Sequence, residues 1–155
     1  MRSWQLRCTL AFVVFVYCVT PLLAGPRFSN AEYAARRANL MAKIPDGVAV
    51  IWGAQTIPSY YRYTQNNDFM YLTGAEIPNA VLIVDGVLKT STLVFTSTEA
   101  AARGDGIAAE LVRNPKAFTG IENVAPIETL DTRLAGIASR SKIVYTSFKP
   151  EELFR

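Results

Sequence analysis

Two apolar runs joined by an Asp-Gly turn constrain the fold of this chain more than any other feature. Residues 80–84 are apolar throughout, which is typical of a strand covered on both faces. Asp85 and Gly86 then form a hairpin signal, and residues 92–96 supply the partner strand. Residues 48–52 have the same buried-strand pattern. The sequence therefore predicts a sheet built around an antiparallel pair of strands.

Helix signals surround these strands. Ser29 and Asn30 can cap a helix over residues 31–43, with Arg36 and Arg37 on the side away from its apolar stripe. Further elements are predicted along the rest of the chain: helices over residues 98–103, 107–113 and 126–137, a brief strand near Val124, a strand over 143–146, and a helix that starts at 150–152. Strands that first pair as a hairpin and then alternate with helices predict an α/β fold with a mixed sheet flanked by helices.

A block of aromatics and amides over residues 61–74 is the main candidate for a site. Four consecutive polar side chains lie in it: Gln65, Asn66, Asn67 and Asp68. They adjoin a predicted aromatic-rich strand over residues 68–72. An unpaired buried polar group costs about 1–3 kcal/mol, so the block predicts either a hydrogen-bonded network or a site. The pattern leaves open whether Asp68 is a structural acceptor or a site residue.

The chain of 155 residues contains no histidine, the commonest general base and transition-metal ligand. Asp46 and Asp85 precede glycines in predicted turns, Asp105 lies between two glycines, and Asp131 falls on the exposed side of a predicted helix. A serine or cysteine nucleophile would have no imidazole to activate it. We therefore expect no catalytic residue, metal ligand or bound cofactor in this chain, while an enzyme with an unrecognised site stays open as a hypothesis.

The first 25 residues have the order of a secretory signal. Arg2 and Arg7 precede an apolar stretch over residues 8–19, and small residues follow at a cleavage site near Ala24. The stretch is shorter than the roughly 20 residues that a membrane-spanning helix needs. We expect a signal peptide over residues 1–25 and an exported protein, periplasmic or secreted. The alternative is anchoring by an uncleaved N-terminal segment.

The remainder of the chain is nearly neutral and free of cysteine. After residue 25 it has 14 basic and 13 acidic side chains, and both cysteines, Cys8 and Cys18, lie before that point. A net charge of +1 gives no electrostatic basis for binding nucleic acid. Residues 28–155 are enough for one domain stabilised by packing rather than by disulfides.

The block over residues 61–74 closely resembles the N-terminal domain of aminopeptidase P, the Xaa-Pro aminopeptidases of the prolidase and creatinase class. The resemblance rests on the pattern Tyr61-x-Tyr63-x-Gln65-Asn66-Asn67-Asp68-Phe69-x-Tyr71-Leu72-Thr73-Gly74, followed by Glu76, Pro78 and residues 80–83. The flanking segments follow in the family's order: Arg36-Arg37-x-x-Leu40, residues 48–51, residues 93–95, and Gly120-Ile121-x-x-Val124-x-Pro126-Ile127. The likeness covers about residues 31–146.

The resemblance implies a fold for this chain and separate roles for the two domains of the family. In the family, the N-terminal domain has a ribonuclease-H-like mixed sheet that packs against neighbouring subunits and walls the substrate cleft. A C-terminal pita-bread domain binds two manganese ions through two Asp, one His and two Glu, and hydrolyses the bond that precedes a proline. The resemblance thus implies that residues 28–155 are the non-catalytic domain and that the pita-bread domain is absent from them.

The resemblance also implies roles and partners for particular residues. Gln65, Asn66, Asn67 and Asp68 would form a rigid shell at the base of the cleft wall, and Phe69 and Tyr71 would anchor that shell in the core. Expected partners are a catalytic domain or further copies of this chain, with an Xaa-Pro peptide bound only together with a catalytic domain. No nucleic acid is expected, and no membrane after signal cleavage. The alternative is a stand-alone peptide-binding or oligomerisation module without catalysis.

Three departures from the family pattern bear on substrate contact. Thr64 stands where the family usually has an Arg before the Gln, and no acid lies between Trp52 and Asn67, where many members have one upstream of the aromatic block. Residues 101–106 lack the Glu-x-Trp-x-Gly piece that many members have. In the family those residues often help to line a neighbour's active site. The resemblance therefore implies that this chain has the family's fold, but it does not imply that this chain makes the family's contacts with substrate.

Overall fold

The computed structural model describes residues 28–56, 62–96 and 98–147, so the predicted signal peptide and the helix predicted to start at 150–152 lie outside the described residues. The described elements run in this order: α1 (Asn30–Lys43), β1 (Gly47–Trp52), α2 (Asn67–Thr73), β2 (Val81–Asp85), β3 (Thr90–Phe95), α3 (Glu99–Gly104), α4 (Ala109–Arg113), α5 (Pro115–Thr119), β4 (Asn123–Pro126), a 3₁₀ turn (Ile127–Thr129), α6 (Leu130–Arg140) and β5 (Ile143–Thr146). Within the described part of the chain, no helix has the length and apolar character needed to cross a membrane.

The sheet of the described residues has five strands in the order β4-β3-β2-β1-β5. The pairs β1–β2 and β2–β3 are antiparallel, and β2 and β3 form the hairpin that the Asp85-Gly86 signal predicts. The two outer strands are added in parallel, β4 beside β3 and β5 beside β1. This mixed sheet with helices around it confirms the predicted fold class.

The alternation of side chains along β1 separates two apolar cores. Ala49 and Ile51 belong to a large cluster that includes residues of α1 through α4. Val48 and Val50 belong to a smaller cluster on the other face, which α6 closes with Ile137. Because successive strand residues point to opposite faces, a central strand buried on both sides is apolar at every position. That is the physical origin of the uninterrupted runs in β1 and β2.

Helix α1 starts where the capping residues predict. The Ser29 Oγ accepts a hydrogen bond from the Glu32 N–H at 3.3 Å, which satisfies one of the free donors of the first turn. The prediction that Arg36 and Arg37 share an outer side is wrong for Arg37, which is only 3% exposed. Tyr33, Arg37 and Met41 are the buried residues of this helix, and their spacing of four puts them on one face.

The predicted strand over residues 68–72 is wrong, because this segment forms helix α2. Its buried residues Phe69, Leu72 and Thr73 have the spacing of one helical face. Gly74 ends the helix in the left-handed region at φ 65°, and its N–H donates to the Met70 carbonyl. A Cβ at Gly74 would come within 2.3 Å of the Tyr33 ring, so the helix ends against α1 where only glycine fits. Helical packing on the core thus outweighs the β-propensity of the aromatic residues.

The second half of the chain follows the predicted alternation with local changes. Helix α5 is not predicted from the sequence. Its N-cap is Asn114, whose side chain accepts from the Ala117 N–H, and the helix itself begins at Pro115. The helix predicted over residues 126–137 starts instead with a 3₁₀ turn and continues as α6 to Arg140.

Candidate functional site

Gln65 is the buried centre of the amide block. Its Oε1 accepts hydrogen bonds from the backbone N–H groups of Ala54 (2.6 Å) and Asn66 (2.8 Å). Its Nε2 donates to the Ile77 carbonyl at 3.1 Å. Gln65 is 5% exposed, so these contacts are shielded from water. One side chain therefore joins three connecting segments: the one after β1, the one before α2 and the one before β2.

Asn66 adds a fourth tie to the same region. Its Nδ2 donates to the Trp52 carbonyl at 3.1 Å, at the last residue of β1. Asn66 is also the N-cap residue of α2, but its side chain makes no capping hydrogen bond. The amide thus holds the start of α2 against the end of β1. Asn67, the first residue of α2, is exposed and interacts with other groups.

Asp68 lies at the surface in the first turn of α2. Its Oδ2 accepts a hydrogen bond from the Ser147 Oγ at 3.1 Å, which ties α2 to the residue that follows β5. An acidic side chain in a first turn also suits the positive end of the helix dipole. Asp68 and Gln65 therefore lie close in sequence but in different environments, one solvated and the other buried.

The prediction that both Phe69 and Tyr71 anchor the core holds for Phe69 and is wrong for Tyr71. Phe69 is 0% exposed, whereas Tyr71 is 58% exposed. The Tyr71 ring lies against the guanidinium of Arg36, whose Cζ is 4.5 Å from the ring centroid. The Arg36 Nη1 also donates to the Tyr71 carbonyl at 3.2 Å. Tyr71 therefore packs on an arginine at the surface, because α2 turns it away from the face that carries Phe69.

Arg36 is the centre of an aromatic cluster that sequence reasoning missed. Its Cζ also lies 4.3 Å from the Phe28 ring centroid and 5.2 Å from the Tyr33 centroid. Its Nε donates to Glu32 Oε1 at 3.1 Å, one helical turn earlier. The Arg36-Arg37 pair gives no signal of this in the sequence, since the Tyr71 ring comes from a different helix, 35 residues further along the chain.

Arg37 was also missed, and it is the buried charge of this region. Its Nη1 donates to the Leu72 carbonyl (2.8 Å) and its Nη2 to the Gly120 carbonyl (3.0 Å). Leu72 is in the last turn of α2, and Gly120 caps the end of α5. Free carbonyls at helix C-termini carry partial negative charge, which compensates the guanidinium. Desolvation by burial lowers the pKa of Arg37, and an arginine nevertheless stays charged.

A groove of about 340 Å³ lies between α1 and α2 above the end of β1. Helix α1 lines it with Arg36, Asn39, Leu40 and Lys43; α2 and β1 line it with Asp68, Tyr71, Leu72 and Ile51. Apolar side chains thus form part of the wall, and charged groups of both signs lie at its rim. Two of the predicted site residues, Asp68 and Tyr71, face this groove.

The donor groups of the described residues do not fit the dinuclear manganese centre that the family resemblance implies for a full-length enzyme. No three Asp, Glu, His or Cys side chains of the described segments come together as a metal site would require. Asp105 accepts from the hydroxyls of Thr56 and Thr96 at 3.4 and 3.3 Å, and Asp85 is held by the guanidinium of Arg140. These carboxylates hold loops and helix ends in place. That the chain binds no metal stays a prediction.

A family model described as the N-terminal domain of aminopeptidase P matches residues 33–145 of this chain. No curated protein matches the sequence.

Solved structures of aminopeptidase P have the same fold. The chain superposes on the Pseudomonas aeruginosa aminopeptidase PepP with a TM-score of 0.67 at 27% identity, over 83% of this chain and 30% of that one. For the Yersinia pestis proline aminopeptidase P II the TM-score is 0.65 at 26% identity, over 79% and 30%. For Icp55 from Saccharomyces cerevisiae it is 0.66 at 22% identity, over 81% and 31%. The chain therefore spans less than a third of the length of these three proteins.

Proposed function

We propose that this chain, which belongs to the aminopeptidase P N-terminal domain family, acts as a non-catalytic domain that supports assembly and walls the substrate cleft of an exported Xaa-Pro aminopeptidase. Hydrolysis would then require a metal-binding domain beyond these residues. The Yersinia pestis and Pseudomonas aeruginosa relatives are aminopeptidases, and this chain matches about 30% of the length of each. Export is proposed from the basic and apolar order of residues 1–25.

The single observation that supports this role most strongly is the hydrogen bonding of Gln65. All three of its contacts go to backbone groups of its own domain. A side chain that is buried and engaged in this way offers no polar atom to a substrate, but it fixes three loops in one arrangement. A domain that forms the wall of a substrate cleft must be rigid. Loops that position groups at such a cleft need to be held to within a fraction of an ångström.

The experiment that tests this proposal compares the chain alone with the chain beside a catalytic domain. The purified chain with added Mn²⁺ is assayed on an Xaa-Pro peptide, and then again with the separately produced catalytic region of the Pseudomonas aeruginosa relative. We expect no turnover by the chain alone and association with raised turnover in the mixture. The Gln65→Leu variant should lose that gain, whereas Thr64→Ala, an exposed neighbour, should keep it. Turnover by the chain alone would contradict the proposal.

The second candidate function is a stand-alone module that binds a peptide without cleaving it. The groove between α1 and α2 favours it, since Tyr71 and Leu72 offer apolar contact and Lys43 offers a positive charge. Titration of the isolated chain with Xaa-Pro and control peptides separates the two proposals, because only the second proposal predicts saturable binding of a peptide by the isolated chain. The reading frame downstream of the Arg155 codon gives an independent test: a His- and Glu-containing metal-binding domain there favours the first proposal, and a stop codon favours the second.

A further inference from the structure

A pocket of about 250 Å³ opens where the start of α1 meets the end of α2 and helix α5. Three aromatic side chains line it: Phe28, Tyr33 and Phe118. An apolar cavity of about 150 Å³ is already large enough to hold a benzene molecule. This pocket therefore has room for an aromatic ring that carries a small substituent.

The hydroxyl of Tyr33 lies at the wall of this pocket without a partner. Tyr33 is only 6% exposed. Its oxygen lies 2.7 Å from the position that a Cβ would take at Gly74, which also lines the pocket. Within the described segments, no hydrogen bond reaches this hydroxyl, and the ring itself contacts Phe28 and Arg36. Because a buried tyrosine hydroxyl usually has a hydrogen-bond partner, this one points to a ligand.

Other polar side chains of the pocket wall are already engaged. Asn30 Nδ2 donates to the Ala117 carbonyl at 2.9 Å, which joins α1 to α5. The Thr73 Oγ1 donates to a carbonyl one turn earlier in its helix at 2.8 Å and accepts from the N–H two residues later at 3.1 Å. The Tyr33 hydroxyl remains available to a ligand, and it can either donate or accept a hydrogen bond.

The charges around the pocket favour a neutral ligand. Of the described residues that line it, none is an aspartate, glutamate, lysine or arginine. An ion would therefore lose its hydration without gaining a counter-charge in the wall. The guanidinium of Arg36 already lies 4.3 Å from the Phe28 ring centroid and 5.2 Å from that of Tyr33. A second cation on these rings would be repelled by it.

We propose that this pocket binds a small neutral aromatic ring that carries a hydroxyl group, which is the chemistry of a phenol. The ring would pack against Phe28 and Phe118, and its hydroxyl would bond to that of Tyr33. This proposal goes beyond the cleft-wall role and does not depend on it, since it concerns a ligand of this domain by itself.

Titration of the full chain with p-cresol tests the proposal, followed by the NMR shifts of the Gly74 and Phe118 amides. We expect saturable shifts with p-cresol, and binding weaker by at least about ten-fold for the ions p-toluate and 4-methylbenzylammonium. Toluene serves as the ring without a hydroxyl. The ratio of p-cresol to toluene affinity should fall about five-fold in Tyr33→Phe, which is the effect of one neutral hydrogen bond. Absence of saturation, or an unchanged ratio in Tyr33→Phe, would overturn the proposal.

Two alanine substitutions and a stability measurement provide the controls. Ala117→Leu adds a side chain at an exposed position of the pocket wall and should abolish binding. Ala138→Leu, at an exposed position of α6, should leave binding unchanged. Tyr33→Phe should unfold at the same urea concentration as the natural chain, because no hydrogen bond is lost. A lower midpoint would assign the hydroxyl a structural partner, and binding retained in Ala117→Leu would place the ligand elsewhere; either result would contradict the proposal.

Discussion

The Oε1 of Gln65 lies 2.6 Å from the backbone nitrogen of Ala54 and accepts its hydrogen bond inside the domain. Ala54 follows β1 and is 1% exposed, so water does not replace this acceptor if it is lost. The contact joins the end of a central strand to the loop that leads into α2. It explains physically why a glutamine stands in an otherwise surface-like run of polar residues.

Replacing Gln65 with leucine should destabilise the domain strongly. The change leaves the N–H groups of Ala54 and Asn66 and the carbonyl of Ile77 without their side-chain partner, and each unsatisfied buried group costs about 1–3 kcal/mol. Because neighbouring losses are not additive, we expect a decrease of about 2–4 kcal/mol in the free energy of unfolding, measured with urea. Thr64→Ala at the exposed preceding position should stay within about 0.5 kcal/mol. Equal effects at both positions would contradict the network.

Replacing Arg37 with methionine should cost more than the same change at Arg36. Arg37→Met removes two charge-assisted hydrogen bonds to the ends of α2 and α5, and we expect a loss of about 2–4 kcal/mol in the free energy of unfolding. Arg36→Met removes contacts with rings and with Glu32 nearer the surface, for about 1 kcal/mol. Thermal and urea unfolding of the two variants measure the difference. A larger loss at Arg36 would show that the buried guanidinium is dispensable.

Asp85 should make the stability depend on pH on the acid side. Desolvation raises the pKa of this carboxyl, but the N–H groups of Leu88 and Val87 and the guanidinium of Arg140 outweigh that effect and hold the pKa below its ordinary value. A folded-state pKa below the unfolded value of about 3.9 stabilises the fold above that pH, and the gain is lost as the pH falls through the folded pKa. Asp85→Asn should therefore be less stable than the natural chain at pH 7.

Urea unfolding across the acid range measures this effect of Asp85. The difference in unfolding free energy between the natural chain and Asp85→Asn should shrink below about pH 4, once the natural carboxyl begins to take up a proton. A difference that stays constant from neutral pH to about pH 2 would show that the ionised form of Asp85 gives no stabilisation.

The two aromatic residues of α2 should respond in opposite ways to truncation. Phe69→Ala removes a fully buried ring and should cost about 3–5 kcal/mol in the free energy of unfolding. Tyr71→Ala removes an exposed ring that packs on Arg36 and should cost only about 0.5–1 kcal/mol. Urea denaturation of both variants provides the comparison. A cost above about 3 kcal/mol for Tyr71→Ala would place its ring in the core and contradict this structure.

The strands and their hairpin could be predicted from sequence because their signals are local. Continuous apolar residues in β1 and β2 reflect burial on both faces, and Asp85 caps its own turn by accepting from Val87 and Leu88. Helix α2 could not be predicted in this way. Its seven residues are rich in aromatics with strand propensity, and only the contact of its buried face with α1 and the sheet determines the helix.

The candidate site was predictable as a region but not residue by residue. The cost of an unpaired buried amide indicates that residues 65–68 need partners, yet it does not tell which side chain is buried. The chain enters a helix within this block, so Gln65 points inward while Asn67 and Asp68 reach the surface. Arg37 could have been found from its spacing of four with Tyr33 and Met41, but a charge on an apolar stripe is usually assigned to solvent.

The central claim is that this chain holds no hydrolytic metal centre of its own, and calorimetric titration of the purified chain with Mn²⁺ tests it most directly. We predict only the heat of dilution, because the chain has no histidine and the carboxylates of its described residues do not converge. Saturable, stoichiometric uptake of the ion with micromolar or tighter affinity would contradict the account.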